Sequence, residues 1–181
     1  MRIGIISDTH GSLKNFEEAL AVLGDCQTII HGGDVLYHGP RNPLPEDYKP
    51  KDLAEKMNAM QNILFVRGNC DADVDQMVIK HPIQSPYILC QLGAQKILVS
   101  HGYTREKKDY IQMAQDFNVN IFIYGHTHVK ELYREGNLIV LNPGSTSLPK
   151  DGVRSVALIE DNAIRLINVE NGQVLEELTL D

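Results

Sequence analysis

Seven residues of metal-binding type stand at five places along the chain, each beside a glycine or another small residue. They occur in Asp8-Thr9-His10, Gly33-Asp34, Gly68-Asn69, His101-Gly102 and Gly125-His126-Thr127-His128. Their nitrogen and oxygen donors suit divalent Mn, Fe, Co, Ni or Zn. In an extended segment residues i and i+2 share one face with their Cα atoms about 6.6 to 6.8 Å apart. On that geometry Asp8 and His10 are expected to chelate one ion. His126 and His128 are expected to straddle two ions held ~3.5 to 4 Å apart, the separation used by two-metal hydrolases. Asp34 has two carboxylate oxygens and can bridge both. Two divalent cations set against two carboxylates and a bridging hydroxide leave a net positive core, which suits a phosphate. The chemistry expected is hydrolysis of a phosphoester. The ions lower the pKa of a bridging water, clamp the phosphoryl oxygens and offset charge during in-line displacement.

Those residues must be carried to one point, and the surrounding pattern shows how. Arg2 to Ser7 is a β-branched run, followed by helical spacing of Leu13, Phe16, Leu20 and Leu23. The pattern recurs as strand Thr28 to His31, helix Lys51 to Gln61 and strand Asn62 to Val66. Tyr87 to Leu92 and Lys96 to Ser100 form a hairpin at Gly93-Ala94, ahead of a helix from Thr104 to Phe117 and a strand from Asn120 to Tyr124. Alternation of this kind predicts stacked β-α units. In open α/β sheets the carboxyl ends of the strands gather around one crevice, and each motif above follows a strand. From Lys130 onward, short runs separated by Gly136-Asn137, Asp161-Asn162 and Asn171-Gly172 read as a meander of antiparallel strands. The stretch from Leu36 to Pro50 holds prolines 40, 43, 45 and 50 and reads as a stiff functional loop. Within it His38 and Arg41 are candidates for holding the second ester arm. His31 is expected to be structural, His81 a loop residue, and Cys26 and Cys90 small core hydrophobes.

Composition sets limits on these readings. The 181 residues carry 17 Lys+Arg against 24 Asp+Glu, a net charge of −7. One domain spanning 1–181 with a full core is expected at this length. The acidic balance disfavours a nucleic-acid partner, whose affinity rests on Lys and Arg neutralising phosphates. No apolar run reaches the roughly 18 residues of a membrane span, and Asp8 interrupts the apolar start, so a cytoplasmic location is expected. Three cysteines without C-x-x-C spacing argue against a disulfide framework or a thiolate zinc site. A lone D-x-H or G-G-D is ordinary turn chemistry; the weight lies in the ordered series, each member after a strand.

That series resembles the calcineurin-like metallophosphoesterase superfamily in motif order over most of the chain. The small size, the Gly-Asn-Cys-Asp variant at 68–71 and the segment Tyr37 to Pro45 look most like the bacterial YfcE family of phosphodiesterases. The resemblance implies an α/β fold, a two-sheet β-sandwich flanked by helices in four layers, α/β/β/α. It implies two divalent ions, Mn²⁺ foremost, at the strand ends. Carried over by motif, Asp8, His10, Asp34 and His128 would hold the first ion. Asp34, Asn69, His101 and His126 would hold the second. A small-molecule phosphodiester substrate and a homo-oligomer are also implied. The same fold serves as a noncatalytic scaffold that binds partner proteins, and the motifs do not separate a diesterase from a monoesterase or nuclease. Where most members have His after Gly-Asn, this chain has Cys70, with Asp71 retained as its expected catalytic partner. A thiolate stabilised by two cations would be a poor proton donor, and His38 is the next candidate for that role.

Overall fold

The computed structural model describes residues 1–180. Strands β1 (Ile3–Ile6), β2 (Thr28–His31), β3 (Ile63–Val66) and β4 (Ile83–Gln84) run parallel. Strands β5 (Ile88–Leu92), β6 (Gln95–Val99), β7 (Ile121–Ile123), β8 (Glu131–Glu135) and β9 (Leu138–Asn142) form a second sheet. The last three, β10 (Ser155–Glu160), β11 (Ala163–Asn168) and β12 (Val174–Thr179), return to the first sheet. The orders are β12-β11-β10-β1-β2-β3-β4 and β5-β6-β7-β9-β8. The run from Lys130 onward is therefore not one meander. The β8-β9 hairpin lies in the five-stranded sheet, with β9 parallel to β7, and the chain then crosses over so that β10 pairs antiparallel with β1, Ile3 opposite Ile159.

Alternation along the strands sorts side chains into three apolar layers. Ile5, Val99, Ile123 and Leu141 face one another between the sheets. Ile6, Phe65 and Val156 face outward from the seven-stranded sheet, toward helices α1 (Leu13–Leu23) and α2 (Pro50–Ala59). Leu98, Phe122 and Val140 pack against Tyr110 and Ala114 of α4 (Lys107–Asp116). The result is the expected α/β/β/α arrangement. Two elements escaped the sequence reading, helix α3 (Asp73–Val78) and the two-residue strand β4. In α3 the apolar residues Val74, Met77 and Val78 are exposed while Asp75 is buried, which inverts the usual pattern. Strand β4 is an edge strand between Pro82 and Pro86, where a missing N–H is tolerated. No helix among the described residues is long and apolar enough to cross a membrane.

Candidate metal centre

The parallel strands β1, β2, β3, β6 and β7 all end on one side of the sandwich, and there the sequence motifs meet. Asp8 and His10 follow β1, Asp34 follows β2, Asn69 follows β3, His101 follows β6, and His126 and His128 follow β7. Five of these seven have a left-handed backbone: φ is 55° at Asp8, 46° at His10, 55° at Asp34, 68° at His126 and 58° at His128. The extended i, i+2 geometry expected from spacing is therefore wrong at both pairs. Each chain end instead curls tightly to aim consecutive ligands inward. Left-handed backbone at non-glycine residues is uncommon and is retained where the surrounding structure enforces it, as at functional sites.

One ligand atom from each of Asp8, His10, Asp34 and His128 lies within 4.8 Å of the others. His128 Nε2 is 3.2 Å from Asp8 Oδ1 and 3.2 Å from His10 Nε2, and His10 Nε2 is 3.7 Å from Asp34 Oδ2. A second group adjoins it: His101 Nε2 lies 3.3 Å from Asp34 Oδ2, and the His101 and His126 rings are 5.3 Å apart. Three imidazoles are oriented from behind. Nδ1–H of His10, His101 and His128 donates to the carbonyls of Tyr37, Gly32 and Leu148 at 2.8, 2.6 and 2.6 Å. This aims each Nε2 at the centre, as a metal-ligating histidine requires. Buried Asp8 Oδ1 and His101 Nε2 have no hydrogen-bond partner among the described residues, so the donor set fits a divalent cation.

The turns are braced as closely as the ligands. Ser145 and Ser147 Oγ donate to the Asp8 carbonyl at 2.7 and 2.9 Å, and Ser7 Oγ donates to Asp8 Oδ2 at 2.5 Å. Gly68 packs so closely on Asp34 that a Cβ there would lie 2.1 Å from Asp34 Oδ1 and 2.3 Å from Asp34 N. His31 is structural, as expected: its Nε2–H donates to Thr9 Oγ1 at 3.0 Å, and its Nδ1 accepts from Gly33 N at 3.2 Å. Burial lowers its pKa to about 3, keeping it neutral. Burial also opposes charge on His101, but Asp8 and Asp34 together raise its pKa to about 9. For Asp8 and Asp34, burial works against ionisation and the neighbouring histidines outweigh it, so both carboxyls lie below their usual range.

The remaining candidates separate. Asn69 is exposed at the rim, its Nδ2 3.3 Å from Cys70 Sγ. Cys70 is half-buried, and burial and the Asp34 carboxylate push its thiol up to about 12 among these side chains. Asp71 braces the turns beside the centre. Its carboxylate accepts from the backbone N–H groups of Asp34, Val35 and Gly68 at 2.9, 2.7 and 2.7 Å, although burial raises its pKa to about 6. Arg41 lines the cleft of about 850 Å³ over the centre, but His38 does not. The His38 ring packs edge-on against Tyr37 and Tyr48 at 4.8 and 5.3 Å. Lys150, which motif reading passed over, lines the same cleft, and its backbone N–H bonds to the His128 carbonyl at 3.0 Å. Neither Arg41 nor Lys150 has a side-chain hydrogen bond or ion pair among the described residues.

Residues 1–163 match the model of the calcineurin-like phosphoesterase superfamily domain. The chain is 33% identical to Phosphodiesterase YfcE of Escherichia coli K12, covering 100% of this chain and 99% of that protein. The solved structure of that E. coli phosphoesterase superposes with a TM-score of 0.87 at 31% identity, covering 100% of both chains. Vacuolar Protein Sorting 29 from Cryptosporidium parvum shares the fold, with a TM-score of 0.67 at 20% identity over 98% of this chain and 97% of that one. Cluster, fold and full-length identity agree: this chain belongs to the calcineurin-like phosphoesterase superfamily.

Proposed function

We propose that this protein hydrolyses small-molecule phosphodiesters at a centre for two divalent ions, Mn²⁺ foremost, and acts in the cytoplasm as a homo-oligomer. The observation that carries the reading is the buried Asp8, His10, Asp34 and His128 cluster, with one ligand atom from each within 4.8 Å and the imidazoles held from behind. The adjoining His101, His126 and Asn69 would complete a second site through Asp34. Divalent ions bound there would supply Lewis acidity and an activated water. The chain's own residues do the rest: Asp71 fixes the turns carrying Asp34 and Gly68, and Arg41 and Lys150 present unpaired cations along the cleft to an anionic substrate. In this reading Cys70, which stands where most members have His, is a poor proton donor to the leaving group. The intact ligand set favours hydrolysis over a noncatalytic scaffold.

The test is bis(p-nitrophenyl) phosphate hydrolysis, beside p-nitrophenyl phosphate, by chelated and reconstituted protein, with metal content measured. Chelation is expected to abolish activity, Mn²⁺ to restore it with two ions bound per chain, and Asp34→Asn to reduce it more than about 100-fold. Full activity in verified metal-free protein, or in Asp34→Asn, would sink the proposal; preference for the monoester would reassign the substrate.

A further inference from the structure

A second cavity, of about 670 Å³, opens beside the metal cleft between α2, α3 and the proline-rich loop. The two share Tyr37, Cys70 and Ala72 in their walls, so they adjoin at those residues. Their chemistry is opposite. The metal cleft carries unpaired Arg41 and Lys150. The second cavity is walled by Leu36, Tyr48, Ala54, Val74 and Val78, and several of its polar side chains are already engaged. Asn58 bonds to Val78 O at 2.8 Å and to Lys80 N at 2.7 Å, Asp75 accepts from Ala72 N at 2.7 Å, and Lys51 pairs with Glu55 at 3.9 Å. The walls therefore offer mainly apolar and aromatic surface. Val74 and Val78 are 59% and 49% exposed, a cost in water that a ligand would remove.

We propose that this cavity is a specificity subsite for a neutral, apolar or aromatic ester arm of the phosphodiester. The phosphate sits in the metal cleft, and one arm passes over Cys70 and Ala72 into the groove between α2 and α3. This rests on the diesterase reading above and narrows its substrate class to diesters with one bulky apolar arm. The reach is set by adjacency: Tyr37, Cys70 and Ala72 line both cavities, so an arm that extends from the phosphate toward them meets the groove.

The experiment uses p-nitrophenyl phosphodiesters whose second, retained ester is methyl, benzyl or 2-naphthylmethyl. The leaving group stays constant and each rate is normalised to alkaline hydrolysis. For wild-type holoenzyme kcat/KM is expected to rise about tenfold or more from methyl to 2-naphthylmethyl, chiefly through KM. Val74→Asp, a surface change that puts a carboxylate on the groove wall, should erase that rise and leave the methyl ester unaffected; Val78→Asp is the independent repeat. Cleavage of all three with no preference, or a preference that survives both variants, overturns the subsite. Sedimentation of the same variants identifies the rival occupant: no preference together with a lowered oligomer mass would assign the groove to a second copy of the chain. Failure to cleave any of the three esters would refute the diesterase reading, and the subsite with it.

Discussion

Gly68→Ala is the smallest change that should disable the centre. The added Cβ would lie 2.1 Å from Asp34 Oδ1 and 2.3 Å from Asp34 N. Ordinary contact begins near 3.4 Å, so one side must retreat by about 1 Å. Little can give, because Asp34 N is held by Asp71 Oδ2 at 2.9 Å and Asp34 Oδ1 by Cys70 N at 2.8 Å. Metal sites tolerate about 0.2 Å in ligand distance. A shift of that size takes the shared carboxylate out of reach, so affinity for both ions should fall by about 100-fold or more, beyond the effect of losing an outer-shell partner. Overpacking should cost a further ~1 to 3 kcal/mol of stability. The control is Gly172→Ala, where φ is +72° and no atom lies within 4 Å of the added methyl; it should cost ~1 to 2 kcal/mol of backbone strain and leave metal binding alone. Calorimetric Mn²⁺ titration of chelated protein, urea unfolding in chelator and diester kinetics read the three effects. If Gly68→Ala binds Mn²⁺ within twofold of wild type, close packing does not position Asp34 and the reasoning fails.

With the Cys70 thiol raised to about 12, wild-type rates should fall steeply as the pKa of the leaving alcohol rises, and Cys70→His should flatten that slope; a flat wild-type profile would show that another donor exists. Lys150→Met should raise KM for a diester about 2- to 5-fold with kcat retained, and wild-type KM should climb with salt as the exposed cation is screened; an unchanged KM would exclude Lys150 from substrate capture. The folded pKa of His31, about 3, lies below the unfolded value of about 6.5, so its stabilisation is full above pH 6.5 and declines as pH falls, by about 2 kcal/mol at pH 5. Urea unfolding of chelated protein should show a shallower pH dependence in His31→Asn than in wild type over pH 7 to 5, and parallel slopes would contradict the assignment.

The donor set was legible in the sequence because chemistry restricts it: few residue types bind divalent ions, and each stands after a recognisable strand. Asp8, His10, Asp34 and His128 meet as their motifs imply. The curl that aims them was hidden, because a left-handed φ at Asp or His has no periodicity to betray it. The bracing role of Asp71 was hidden, since in sequence a carboxylate looks alike whether it faces substrate or three backbone N–H groups. Lys150 carries no motif, and its place in the cleft depends on the chain crossing between sheets after β9. The same crossing, invisible to local pattern, turned an expected meander into two separate sheet edges.

That crossing also sets when the centre can exist. Strand β1 bears the first two ligands, yet its antiparallel neighbour β10 is among the last elements of the chain, Ile3 pairing with Ile159. The Asp8 carbonyl is tied down by Ser145 and Ser147, and the His128 ring by Leu148. A nascent chain that has emerged only through His128 owns every donor and still lacks the clamps that aim them. Closing contacts so distant in sequence is slow, so high-affinity ion capture should be a late event in biogenesis. In effect the cation inspects the finished molecule: an incomplete or mispaired C-terminal hairpin leaves the ligands present but unable to close around it.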